Sequence, residues 1–380
     1  MRKIINTYYI MRIMQFANSS TVVSNPYFSV SASASASSTA GATSRKSATI
    51  IASNLSQKEA ISKMNKLLKK HKLVNTPSTA VTTYKLTGTP QAIWSGISIR
   101  GNNAIACVGD YTVSSNNHIY YSSDGGITWY QSTVPTYQWS SVSIGDLKAL
   151  ASNVTFQSKN TLYYSTNSGN SWSSDNDTVT ILNVTISGEH AIKVTTQNGF
   201  LTPIYYANDA STSTNIKWNL SKTNIPSYVS AVSNSDSNAV LCEQSGNIYY
   251  SNDSGENWRQ SNNSPLRYWF SVSISGSNAV ACDKTSKNTY YSSDYGVNWF
   301  QSNTLPSSCN CVSISGNYAV AGGNGGSIYY SDDSGKNWKT SNSIQDAWWR
   351  ISIDGANAVA CVYGGNIYYS TDYGETWTQS

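Results

Sequence analysis

From Trp269 to Gln301, apolar and polar positions fall into four short runs separated by turn residues. Trp269-Phe270-Ser271-Val272-Ser273-Ile274 alternates with a period of two, the pattern of a strand with unlike faces. A Ser-Gly-Ser turn leads to Asn278-Ala279-Val280-Ala281-Cys282, a small and apolar strand. A polar loop leads to Thr289-Tyr290-Tyr291-Ser292, and Ser293-Asp294-Tyr295-Gly296 turns the chain into Val297-Asn298-Trp299-Phe300-Gln301. The closing Trp of this unit recurs as Trp129, Trp172, Trp218, Trp258, Trp299, Trp338 and Trp377, with gaps of 43, 46, 40, 41, 39 and 39 residues. Seven copies of four short strands predict an all-β, seven-bladed β-propeller of four-stranded antiparallel blades over residues 81–380. Each blade leaves apolar faces that only its neighbours can cover, so the ring has to close.

The turn before each Trp is the most regular part of the unit. Copies run Ser122 to Trp129, Ser251 to Trp258, Ser292 to Trp299, Ser331 to Trp338 and Ser370 to Trp377, each with Ser, Asp, Gly and Trp in the same register. The copy at Ser165 has Asn167 in place of Asp, and the copy at Ala207 keeps Asp209 and Trp218 but has extra residues and no Gly. This turn resembles the Asp-box, or BNR, repeat of sialidases, sortilin-type receptors and photosystem assembly propellers, and the resemblance covers about three quarters of the chain. Asp124, Asn167, Asp209, Asp253, Asp294, Asp333 and Asp372 are therefore expected to be structural: a short side chain accepting backbone N–H groups in a tight turn, Gly supplying a conformation other residues resist, and Trp burying a large area. In the families it resembles, this turn lies on the face away from the ligand.

The first 80 residues carry 11 Lys+Arg and one acid, Glu59, whereas the repeats are mildly acidic with 14 Lys+Arg and 19 acids. That balance argues against a propeller face gripping nucleic acid through phosphates. Residues 1–54 form a low-complexity, basic, Ser-rich arm expected to be mostly disordered, with a flexible linker from Ser29 to Ser44. Residues 55–74 are expected to form one short basic amphipathic helix opened by Ser56-Gln57-Lys58-Glu59. The arm suits contact with an acidic surface, whether membrane, nucleic acid or protein. It has no clear secretory signal and is weakly similar to an organelle transit peptide; no segment is long and apolar enough to span a membrane. A short stretch, Thr83-Tyr84-Lys85-Leu86, matches the fourth-strand pattern and is expected to add an outer strand or simply lead in.

The six cysteines all lie in the repeats. Cys107, Cys242, Cys282 and Cys361 recur at one position, and Cys309 and Cys311 sit two apart. They read as small buried residues, with neither disulfides nor a metal site implied, and no cofactor is expected.

Resemblance to sialidases implies three arginines clamping a carboxylate, a Tyr nucleophile with its Glu, and an acidic Asp. The repeats hold only Arg100, Arg259, Arg267 and Arg350, of which Arg267 and Arg350 fall near the expected ligand face. The position opening the first strand carries Trp94, Trp139, Trp269 and Trp348, with Tyr137, Tyr268 and Trp349 nearby. These residues form either an aromatic rim or packing between blades. The expected function is a non-catalytic binding or scaffold propeller for a protein or glycan partner, with Trp94, Trp139, Arg267, Trp269, Trp348, Trp349 and Arg350 as contacts. A sialidase-like glycosidase and an organelle assembly factor are the alternatives.

Overall fold

The computed structural model describes residues 9–13, 27–37, 43–52, 83–87, 89–109, 117–146, 148–153, 161–175, 180–196, 202–210, 216–284, 288–303 and 308–380. The expected helix over 55–74 lies outside the described residues. The chain divides into two compact units, residues 1–90 with 128–131, and residues 91–127 with 132–380. The strands of the first unit among the described residues are Tyr9–Ile13, Tyr27–Ser37, Thr43–Ala52, Thr83–Thr87 and Trp129–Gln131. Ser29 to Ser37, read as linker, fall within the second of these strands, where Ser and Ala alternate with the two-residue period of a pleat. Thr83–Thr87 pairs antiparallel with Trp129–Gln131, Lys85 opposite Tyr130, so this segment adds an outer strand.

The repeats form a seven-bladed β-propeller of four-stranded antiparallel blades. The first strands are Trp94–Arg100, Trp139–Ile144, Thr180–Ser187, Val229–Ser235, Trp269–Ser275, Cys311–Ser315 and Asp346–Asp354. Each is followed by a short hairpin to a second strand such as Asn278–Asp283, then a third such as Thr289–Ser292. The second strands are buried on both faces, which explains their small apolar composition: the faces are divided between two neighbours. In blade 4, Val240 and Cys242 face forward and pack with Trp269, Val272, Ile274, Ala279, Ala281 and Trp299 of blade 5. Val320 of blade 6 packs in the same way with Trp348, Ile351, Ile353, Ala358 and Ala360 of blade 7. Large residues of one blade thus meet the Ala face and the Trp of the next, and this joint repeats around the ring.

A second device joins the blades. The first strand of each blade is an edge strand, with N–H groups unmatched within its own sheet. A serine from the preceding blade accepts one of them at six joints. The pairs are Ile144 N–H to Ser98 Oγ (3.1 Å), Ile186 to Ser143 (3.1 Å), Ile274 to Ser233 (3.2 Å), Ile314 to Ser273 (3.2 Å), Ile353 to Ser313 (3.1 Å) and Ile99 to Ser352 (3.1 Å). At the seventh joint Thr185 Oγ1 donates to Asn234 Oδ1 at 2.7 Å. The polar positions of the alternating strand are therefore a belt of joints between blades.

Ring closure uses the same bonds. Between blades 7 and 1, Asp354 Oδ2 accepts from Gly101 N–H at 2.7 Å and Ser380 Oγ donates to Gly126 O at 2.6 Å. Ser261 donates to Gly296 O (2.6 Å) and Ser302 to Gly335 O (2.5 Å) at interior joints. All four strands of blade 7 come from residues 346–379, so the ring closes by side-by-side packing.

Candidate functional site

The Asp-box turns form a bonded unit. In blade 5, Ser292 Oγ donates to Asp294 Oδ1 at 2.8 Å and accepts from Gly296 N–H at 3.0 Å. Asp294 Oδ1 accepts from Asn298 N–H at 2.9 Å, Oδ2 accepts from Asn298 Nδ2 at 2.6 Å, and the Trp299 indole donates to Gly296 O at 3.0 Å. Burial alone would raise the Asp294 pKa, but these bonds outweigh it and hold the carboxyl below its ordinary value; Asp253, Asp333 and Asp372 behave alike. Asn167 reproduces the turn without charge, accepting from Ser165 Oγ and Ser171 N–H at 2.9 Å each. In the irregular third copy, the charge of Asp209 lies near the buried Lys148. These turns meet the hairpins between first and second strands, as where Gly125 N–H donates to Asn102 O at 2.8 Å. The opposite, upper face carries the connections between blades and the loops from second to third strands.

Trp94, Trp139, Trp269 and Trp348 are at most 2% exposed, so the indoles present no open rim. Their N–H groups tie down loops of the preceding blade, donating to Gly365 O (2.9 Å), Asn117 O (3.2 Å), Gly246 O (3.1 Å) and Gly326 O (2.9 Å). Each stands edge-on to a third-strand tyrosine of its own blade, as Trp269 does to Tyr290 at 5.2 Å and 77°. Tyr137 joins Trp139 and Tyr163 in the same packing. Of the predicted contacts, Arg267, Trp349 and Arg350 keep solvent access.

The site is marked by departures from sevenfold repetition. The residue after the opening position is Ser95, Ser140 and Ser230 in blades 1, 2 and 4, each bonding its own second strand, Leu182 in blade 3 and Asn310 in blade 6. In blades 5 and 7 it is Phe270 and Trp349; the bulge that leaves this residue outside the ladder is shared by blades 1 to 5 and 7, so what departs is the side chain. Bulges re-aim side chains; here they bring the Phe270 and Trp349 rings to 5.9 Å across the intervening blade. Tyr363 adds a third ring 5.3 Å from Trp349 and is 52% exposed. Lys284 Nζ lies 5.0 Å over the Phe270 ring, and the Arg350 guanidinium 5.0 Å from that of Trp349. Tyr268, 38% exposed, accepts from Gln244 Nε2 at 2.6 Å. Sequence reasoning did not single out Phe270, Tyr363 or Lys284; comparing residues across equivalent blade positions would have flagged Phe270.

One further substitution stands below this cluster. Where blades 1 to 6 place Gly96, Ser141, Asn183, Ala231, Ser271 and Cys311, blade 7 places Arg350. It lines an axial cavity of ≈ 210 Å³ bounded by all seven first strands.

The arginines do not converge. Arg100 pairs with Asp146 at 2.7 Å at the hairpin end of its strand, the face away from Arg350. Arg259 sits in an exposed fourth strand. Arg267 reaches the buried Asp283 at 3.5 Å. Glu243 is 2% exposed and accepts from Asn247 N–H at 2.9 Å. The six cysteines are free and buried; burial pushes the Cys107, Cys242 and Cys361 thiols up to about 12. Cys309 precedes the strand that begins at Cys311 and packs with Cys282 across a blade joint. No helix among the described residues is long and apolar enough to cross a membrane.

A family model described as BNR/Asp-box repeat matches residues 120–131 and 368–379. No curated protein matches the chain. Among solved structures, one described as YCF48 bound to D1 peptide has a TM-score of 0.57 at 16% identity, covering 76% of this chain and 96% of that one. YCF48 from Cyanidioschyzon merolae scores 0.54 at 16% identity, covering 74% and 96%. The computationally designed Ika8 protein scores 0.52 at 11% identity, covering 75% and 98%. At these identities the likeness concerns the fold. With the turn bonds and blade order described above, it identifies the chain as a seven-bladed β-propeller built from BNR/Asp-box repeats.

Proposed function

We propose that the chain is a non-catalytic binding propeller that docks a protein segment on its upper face. The observation that carries this reading is the cluster of Phe270, Trp349 and Tyr363, flanked by Lys284 and Arg350, at the point where the repeat is broken. Aromatics with solvent access beside cations are a common makeup of protein hot spots; here Tyr363 is exposed, and Phe270 and Trp349 are half-buried. The equivalent position holds serine in blades 1, 2 and 4, Leu182 in blade 3 and Asn310 in blade 6, so an aromatic ring there is confined to blades 5 and 7. The D1 peptide in the YCF48 structure supports a protein partner for this fold, and with it a binding or assembly role. The dispersed arginines, each with its own local partner or strand, support the non-catalytic form.

The test is equilibrium binding of the purified full chain to a peptide array and a glycan array. Saturable peptide binding, lost in Trp349→Ala and Phe270→Ala with the melting temperature nearly unchanged, is the expected result. Binding confined to glycans would overturn the protein-partner reading, and turnover of a sialoside would overturn the non-catalytic one.

A further inference from the structure

The axial cavity holds a set of hydrogen-bond donors, of which the docking reading uses only Arg350, as the cation beside the Trp349 ring. Its lining contains Arg350 as the one charged side chain and no Asp or Glu. Ser98, Ser143, Ser233, Ser273 and Ser313 all border it, and each accepts a backbone N–H from the next blade. A serine hydroxyl has one hydrogen to donate besides its lone pairs. Among the described residues no acceptor takes that hydrogen from any of the five. The belt that joins the blades therefore leaves its O–H groups for whatever occupies the axis.

Arg350 is prepared in a similar way. Its Nε donates to Ser95 O at 2.9 Å and its Nη1 to Trp349 O at 3.0 Å. Two carbonyls thus fix the plane of the guanidinium while three of its five N–H donors have no acceptor among the described residues. Two of these belong to Nη2 and one to Nη1, the edge that matches a carboxylate or phosphate fork. A cation held in place at the mouth of a partly enclosed polar cavity, with hydroxyl donors below and no acid in the lining, favours negative charge.

We propose that the axial cavity is an oxyanion site, with the free edge of Arg350 gripping the anion at the mouth and the serine hydroxyls solvating the space beneath. This goes beyond the docking reading and stands without it. The anion has two sources, a free inorganic oxyanion or the terminal carboxylate of a peptide. The cavity of ≈ 210 Å³ admits either.

Titration calorimetry on the full chain, at fixed ionic strength with chloride as balance, tests the idea. The probes are inorganic phosphate, sulfate, acetate, and one short peptide prepared with a free and with an amidated C-terminus. Saturable binding of at least one probe is expected, weakened roughly tenfold or more in Arg350→Gln through loss of the charged fork. Inorganic anions binding alone identifies a free oxyanion; a free-ended peptide binding where its amide does not identifies a terminal carboxylate. Either supports the site. Should Arg350→Gln misfold, protection of Arg350 against phenylglyoxal by saturating probe, read by mass spectrometry on the unaltered protein, decides the matter. No saturable binding of any probe, binding unchanged in Arg350→Gln, or modification of Arg350 unaffected by a bound probe overturns the proposal. Loss of docking in Trp349→Ala with anion binding intact separates this site from the docking surface.

Discussion

Removing one hydroxyl from the serine belt tests the account of how the ring is held together. Ser313 is 9% exposed, and its Oγ accepts the Ile353 N–H at 3.1 Å between blades 6 and 7. In Ser313→Ala that N–H keeps its place on the edge of the blade 7 first strand and loses its acceptor. An orphaned buried donor costs about 1–3 kcal/mol, more than the net worth of an average hydrogen bond, because its desolvation is uncompensated. For a domain this large each kcal/mol lowers the melting temperature by roughly 2–4 °C. Urea unfolding of the full chain, followed by tryptophan fluorescence, measures the difference. Ser98→Ala and Ser233→Ala lie at other joints without shared partners, so their effects should add to that of Ser313→Ala. Ser123→Ala, at an exposed turn position, serves as the comparison and should stay within about 0.5 kcal/mol of the parent. A Ser313→Ala midpoint indistinguishable from that of Ser123→Ala would refute the belt as a source of stability.

Gly335 has φ +83°, and a Cβ there would stand 2.5 Å from Val280 Cγ1 of the preceding blade; Gly335→Ala should cost roughly 2–4 kcal/mol, with partial recovery in the Val280→Ala background measured by a double-mutant cycle. Because hydrogen bonding depresses the Asp294 pKa, its contribution to stability is complete above the unfolded carboxylate value near ~4 and lost as pH falls through the lower folded value. Asp294→Asn should therefore narrow its deficit relative to the parent as pH drops below about 4, a trend that acid titration of the unfolding midpoint would reveal; a deficit constant with pH would contradict it. Asp294→Ala should cost more than Asp294→Asn, since Asn167 already shows that an amide can hold the turn. The buried thiols, with Cys107, Cys242 and Cys361 raised to about 12, should resist an aromatic disulfide reagent in the native protein at pH 8 and react in urea; rapid native reaction would show that the joints open.

The propeller was legible in the sequence because both of its causes are local and repeated. A strand's face pattern is set within a few residues, and an Asp-box closes its bonds within eight, from Ser292 to Trp299. Seven copies of a local signal also fix the blade number. The role of the opening tryptophans was not legible, since the same Trp pattern fits a rim or a packed joint. The choice depends on the preceding blade, whose loop carbonyls at Gly365, Asn117, Gly246 and Gly326 take the indole N–H groups. Arg350 and Trp349 stand out along the chain, and Phe270 does so only when equivalent blade positions are compared, whereas Tyr363 carries no special mark. The Phe270 and Trp349 rings, 79 positions apart in sequence, meet at 5.9 Å because a ring brings blades 5 and 7 to one mouth.

What the sequence by itself determined, then, is the unit and its number: alternation fixes which face of each strand is apolar, and the Ser-Asp-Gly-Trp turn fixes how the third strand meets the fourth. What only the tertiary structure decided is everything that one blade does to another. The serines at alternating positions became acceptors for a neighbour's edge N–H groups, the tryptophans became anchors for a neighbour's loops, and one arginine among six small or neutral counterparts was left facing the axis. These outcomes depend on which residues meet across a joint, a distance of about forty positions along the chain and a few ångströms in space.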